Sequence, residues 1–185
     1  MTKRIFTLLM MILVCVLAVG CSEEYTVDYD AMPEEEATVR KAADKALLQE
    51  YGFDGVYHCE VKLDKYPAKE HYMVRYKLTP FGHNTPEHYT VYVGFDGTVQ
   101  DVSGSNVGEY SYFLPELTES KVKNAAKKLD KQVEKYTNHD IYYFSVAKDG
   151  SLQLSCEVIT YDVAPDNLTA HKHLMFYEKV CDKPD

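Results

Sequence analysis

The chain has 185 residues, of which 45% are hydrophobic and 26% charged, an ordinary globular balance that excludes a disordered tail, a collagen-like rod and a polytopic membrane protein. That length holds one domain or two small ones. The formal net charge is −9, the wrong sign for a nucleic-acid partner.

Lys3 and Arg4 precede a run from Ile5 to Val19 whose only polar member is Thr7. A charged start followed by a short apolar stretch reads as a signal peptide over residues 1–20; a spanning helix wants about 20 apolar residues. The end of the run, Leu17-Ala18-Val19-Gly20-Cys21, resembles the lipobox of bacterial lipoproteins, with Ala18 where that family more often has Leu. The resemblance implies that the Cys21 thiol takes a diacylglyceryl group, that cleavage follows before Cys21, and that the protein sits in the cell envelope. It would then be lipid-anchored to the outer face of the cytoplasmic membrane or to the outer membrane. Two acyl chains hold such a product firmly, each buried methylene being worth about 0.8 kcal/mol. The stretch 21–33, with Glu23, Glu24, Asp28 and Asp30 and few aliphatics, reads as a solvated acidic tether rather than a calcium site.

A first helix is predicted after Pro33, with Glu34 to Glu36 in its first turn, an apolar stripe of Val39, Ala42, Ala43, Ala46 and Leu47, and a stop at Gly52. Period-two alternation then predicts strands Val56 to Leu63, His71 to Leu78 and His88 to Phe95, and the Phe95-Asp96-Gly97-Thr98 turn adds a short strand from Thr98 to Val102. An aromatic linker, 105–117, carries Tyr110, Tyr112, Phe113 and Leu114 and reads as packed. A second helix is predicted from Thr118 as N-cap, with Val122, Ala125, Ala126, Leu129, Val133 and Tyr136 on one face. Strands Ile141 to Ala147, Leu152 to Tyr161 and Lys172 to Val180 follow, the first two joined by a tight Lys148-Asp149-Gly150-Ser151 turn.

The second set of elements follows the first at an offset of 83, with Val39, Ala42, Ala43, Lys45 and Gln49 falling on identical residue types. The expected fold class is therefore α+β: two tandem α-β-β-β(β) units, 34–104 and 118–185, each a helix packed on an antiparallel sheet. Units this small bury only about 60% of their surface alone, so the pair should fold as one body. The expected inner faces are Tyr57, Cys59, Val61, Leu63, Tyr72, Val74, Tyr76, Tyr89, Val91 and Val93 in the first unit, and Tyr142, Phe144, Val146, Leu152, Leu154, Cys156, Val158, Leu174 and Phe176 in the second. The tandem arrangement and the phrase from Tyr89 to Val99 resemble the PepSY-like and beta-lactamase-inhibitor-like families. That resemblance implies an extracytoplasmic protein that binds or inhibits enzymes and catalyses nothing itself.

Chemistry in the sequence is sparse. There is no Gly-x-Ser-x-Gly elbow and no glycine-rich phosphate loop, so no cofactor is implied and no enzyme is expected. His171 and His173 share a strand face and His83 and His88 flank a loop, but no third ligand is placed, so no metal site is expected. Cys59 and Cys156 are read as inert core thiols. In a hairpin centred near Pro165, Cys181 falls about opposite Leu152, roughly 13 Å along the strand from Cys156, and the two side chains point to opposite faces, so no bridge joins them; Cys59 with Cys156 is the better-placed pair.

Two readings of function remain. One is a membrane-tethered module that binds or inhibits an extracytoplasmic protein; the other is a small-ligand carrier with a cystatin-like or NTF2-like pocket between helix and curved sheet. For the first, alternation singles out the outer face of the second unit, where Tyr143, Tyr161, Met175 and Tyr177 join Ile141 and Ile159. The matching face of the first unit carries His58, Glu60, Lys62, Arg75, Lys77 and Tyr92. The apolar face is either a binding surface or an internal interface covered by the first unit or by Tyr112 and Phe113.

Overall fold

The structure, a computed structural model, describes residues 27–136, 139–162 and 170–184. Its fold is mixed α+β. Helix α1 (Glu34–Tyr51) is followed by a four-stranded antiparallel sheet of β1 (Cys59–Tyr66), β2 (His71–Leu78), β3 (His88–Gly94) and β4 (Val99–Ser105), in that spatial order. Helix α2 (Glu119–Val133) precedes a three-stranded antiparallel sheet of β5 (His139–Val146), β6 (Leu152–Asp162) and β7 (Ala170–Cys181). Among the described residues no helix is long and apolar enough to cross a membrane.

Each helix lies on the sheet that follows it. α1 crosses β2, β3 and β4, burying Val39, Ala43, Ala46 and Leu47, and the small alanines let the backbone sit close to the strands. It stops at Gly52, whose φ of 65° is the left-handed cap conformation that glycine adopts without a Cβ clash. α2 begins where Thr118 accepts the Lys121 N–H at 3.3 Å and packs Val122, Ala125, Leu129 and Val133 on β6 and β7. Those four follow the spacing of three and four residues that makes one helix face. Tyr110, Phe113 and Leu117 of the linker join both sets in a single buried cluster. Gly55 lets Leu114 approach so closely that an added Cβ would stand 2.6 Å from Leu114 Cδ1.

The segment between β2 and β3 reaches across to the second sheet. Asn84 forms a parallel bridge with Tyr143, and its carbonyl accepts the Phe144 N–H at 2.8 Å. The His83 ring stands edge-on to Phe144 at 5.8 Å. The outer edge of β5, otherwise an unpaired row of backbone groups, is thus partly closed by the first half of the chain.

Several expectations change. β1 starts three residues late because Val56–His58 forms a 3-10 turn, which leaves Tyr57 44% exposed instead of inside and takes His58 off the sheet face. Tyr29 lies within the stretch read as solvated tether, yet its hydroxyl donates to Asp44 Oδ2 at 2.7 Å. Cys181 does pair opposite Leu152, and Cys59, Cys156 and Cys181 are held as thiols. The opposite-face argument fails, however: a bulge between Leu152 and Gln153 turns Cys181 inward, so that both Cys156 and Cys181 are buried in the core. Distance along the strand, four positions in register, is what separates them.

Candidate functional site

On the outer face of the second sheet, Tyr143, Ser155 and Tyr177 form one row across β5, β6 and β7. Next to them Glu157 pairs with Met175, and Gln153 with Lys179. Tyr177 is 47% exposed, while Tyr143 and Met175 are half-buried, with the Tyr143 hydroxyl 4.0 Å from Met175 Sδ. Beneath the rings Ser155 is fully buried and shares a 2.5 Å hydrogen bond with Ser145. Burial raises the Tyr143 phenol above its ordinary range. Glu157 meets His173 Nδ1 at the margin. The structure therefore brings Tyr143, Met175 and Tyr177 together, whereas the side chains of Ile141 and Tyr161 fall outside the described residues, as does Cys21 entirely. Of the aromatics weighed as a cover, Phe113 is buried in the core, and exposed Tyr112 donates to the Pro184 carbonyl at 3.0 Å.

The outer face of the first sheet is charged. Lys62 stands opposite Arg75, and Lys77 lies between Glu60 and His88. Arg75 reaches Asp64 at 2.5 Å, and that hydrogen bond holds the Asp64 carboxyl below the usual range. His58 packs instead against Tyr57 and Phe81.

Two buried polar hubs escape sequence reading. In α1, Arg40 and Asp44 lie one turn apart inside the apolar stripe, joined Nε to Oδ1 at 2.7 Å. Asp44 also accepts the Tyr76 hydroxyl at 2.6 Å, and the Arg40 guanidinium sits 4.9 Å above the Tyr76 ring. Burial, reinforced by the Asp44 hydrogen bond, pushes the Tyr29 phenol up to about 12. Nearby, burial pushes the Cys59 thiol up to about 12, so the sulfur keeps its proton and is a poor nucleophile.

The second hub is Glu87, completely buried just before β3. Its carboxylate accepts the Tyr89 hydroxyl, the Gly108 N–H at 3.2 Å, and the Tyr110 and Ser111 N–H groups at 2.8 Å each. Side-chain periodicity could not announce it, because its partners are main-chain groups of the linker.

The Glu87-held linker forms one wall of a cleft of about 340 Å³, whose other wall is the end of α1 and the turn after it. Tyr51, Phe53, Tyr57, Tyr89 and Tyr112 supply the rings and Asp54 the charge. Phe53 stacks on Tyr89 at 4.6 Å and Tyr51 tilts against it at 5.5 Å. Among the described residues no group of three or more His, Cys, Asp or Glu converges as a metal site would require. No family model matches the chain, and no curated protein matches it.

Proposed function

We propose that the chain is a lipid-anchored extracytoplasmic protein of the cell envelope that binds or inhibits a protein partner through the outer face of its second sheet, without catalysis of its own. The observation that carries this reading is the grouping of Tyr143, Met175 and exposed Tyr177 within a margin of Gln153, Glu157, His173 and Lys179. An aromatic centre inside a polar rim is the anatomy of protein interfaces, and tyrosine loses little side-chain entropy on binding. The Leu17-to-Cys21 motif supports the anchor.

Core positions support an origin as two tandem α-β-β-β(β) units, like those of the PepSY-like and beta-lactamase-inhibitor-like families. Shifted by 83, Val39, Ala46, Val61, Leu63, Val91 and Val93 fall on Val122, Leu129, Phe144, Val146, Leu174 and Phe176, all packed in the core. Shifted by 82, the buried Tyr72, Val74 and Tyr76 fall on the buried Leu154, Cys156 and Val158.

The test combines Tyr143→Ser and Tyr177→Ser in the full chain, with cross-linked capture from envelope membranes and thermal melting as readouts. Loss of a partner retained by the wild type, with little change in melting, is the expected result. Unchanged capture, or a steep fall in stability, would reject the face as a docking surface. Mass spectrometry of the mature protein tests the anchor separately, through a diacylated Cys21 at the N terminus.

A small-ligand reading has open space between α1 and β4, lined by Ala42, Ala46, Gln49, Val99 and Val102, although Ala43, Leu47, Val74 and Val91 are fully buried where the helix crosses the middle of the sheet. A second space is the aromatic cleft beside the linker.

A further inference from the structure

We propose that this aromatic cleft binds an organic cation of the alkylammonium class. The inference rests on the cleft alone and stands apart from the sheet-face reading, since the two sites share no residue.

Three observations lead to that chemistry. Five aromatic rings line the cleft, and the exposed ones, Tyr57 and Tyr112, are 44% and 45% accessible. The faces of such rings carry partial negative charge, and a cation within about 6 Å of a ring centre is attracted to it. The only charged side chain in the described lining is Asp54, a carboxylate; Lys, Arg and His are absent from it. Finally, the Glu87 carboxylate lies directly behind the cleft floor, bonded to the Tyr89 hydroxyl. All four of its donors are neutral, one phenol and three backbone N–H groups, so its negative charge is solvated but not neutralised by them.

The arrangement discriminates against other ligands. An anion would meet Asp54 and the field of Glu87 with no cation in the wall to offset them. A neutral sugar would find rings to stack on and hydroxyls of Ser111 and the tyrosines to bond, but it would leave the Asp54 charge without a counter-charge, which is the difference the glucose arm below reads. An alkylammonium group uses every element present: its methyl or methylene groups pack on the rings while its charge faces Asp54 and the Tyr89–Glu87 pair. The floor is preorganised, because Phe53 and Tyr89 are buried and stacked and the linker wall is pinned by Glu87.

Such a cation has two sources, a free quaternary amine and the lysine side chain of a peptide, and separate arms distinguish them. The full chain, 15N-labelled and held in detergent micelles, is titrated at constant ionic strength with choline, with 3,3-dimethylbutan-1-ol as its uncharged isostere, with glucose, and with Nα-acetyl-lysine amide. Saturable shifts at the Gly52, Asp54, Gly108 and Ser111 amides with choline or with the lysine derivative, and weaker binding of the isostere, are expected. Whichever cation binds more tightly names the source. Tyr57→Leu and Tyr112→Leu should each weaken binding about two- to fivefold, while Tyr57→Phe, which keeps the ring, should retain it. Asp54→Asn should weaken the cation and leave the isostere unaffected. The Tyr143→Ser, Tyr177→Ser chain should bind the cation like the wild type, so that failure of one site is not mistaken for failure of the other. Equal binding of the isostere, preference for glucose, or no saturable shift at these amides with either cation would overturn the assignment.

Discussion

In α1 the face turned to the sheet holds a charged pair, Arg40 and Asp44, tied to Tyr76 and Tyr29; in α2 the corresponding face holds only Val122, Ala125, Leu129 and Val133. The polar contacts of α2 lie at its rim, where Asp130 accepts the Tyr142 hydroxyl and Gln132 and Lys128 reach Glu178. The first half also buries Glu87, while the second buries the Ser155 hydroxyl against Ser145. The outer faces differ in the opposite sense, charged on the first sheet and aromatic around Tyr177 on the second. Buried polar hubs gain little net stability, but they tolerate no alternative geometry, because any shift strands a desolvated group. The first half therefore holds the segment around Tyr29 and the linker in defined places, and the second half is secured mainly by apolar burial.

That contrast is most easily broken at Glu87. Glu87→Ala removes the acceptor of the Gly108, Tyr110 and Ser111 N–H groups, and the cost should be about 4 kcal/mol in urea unfolding. Hydrogen exchange should speed up at those three amides first; a loss under about 1 kcal/mol would show that the hub is dispensable. Asp44→Ala leaves the Arg40 guanidinium buried without its carboxylate and should cost about 3 kcal/mol by the same measurement. Ser155→Ala, also a deletion of a fully buried polar group, should cost about 1 kcal/mol or less, since Ser145 is only half-buried and can turn to water. If Ser155→Ala proved as damaging as Asp44→Ala, the distinction between the halves would fail.

What could be read in advance follows from which signals are local. Gly52 ends α1 because a left-handed cap needs glycine, and β2 runs from His71 to Leu78 as its alternation requires. The α+β class and the inner faces of β2, β3, β5 and β6 follow from the same periodicities. Alternation gave no warning of the 3-10 turn at Val56–His58, because Tyr57 keeps strand spacing while pointing to solvent. Nor did it register the bulge at Leu152, where one extra residue on β7 reverses the facing of Cys181. Arg40 and Asp44 look like solvated charges until Tyr76, 32 positions beyond Asp44, arrives to cover them. The grouping of Tyr143, Met175 and Tyr177 was legible from parity on two strands. The aromatic cleft was not, since its walls come from the end of α1 and from a linker positioned by Glu87.

The smallest expected effect concerns the contact between the halves. His83 sits where the first sheet's loop meets β5, its ring edge-on to Phe144 at 5.8 Å and 6.2 Å from the Tyr142 ring. Burial lowers its pKa below the ordinary 6.5, outweighing the backbone hydrogen bond at Tyr142 that works the other way. His58, against Phe81 of the same loop, is lowered by burial as well. A base whose folded pKa is depressed takes up its proton more readily in the unfolded chain. Stability should therefore be complete above about pH 6.5 and decline as pH falls below it, levelling off once pH passes beneath the folded pKa. The lowered carboxyls of Asp64, Asp96 and Asp149 titrate at more acidic pH and do not account for a slope between pH 7 and 5. Unfolding midpoints across that window should fall for the wild type and fall less for His83→Gln, with His58→Gln removing a further part. An identical pH slope in His83→Gln would mean that the loop contact does not bury His83 in solution, and the two halves would then meet chiefly through the linker and the shared core.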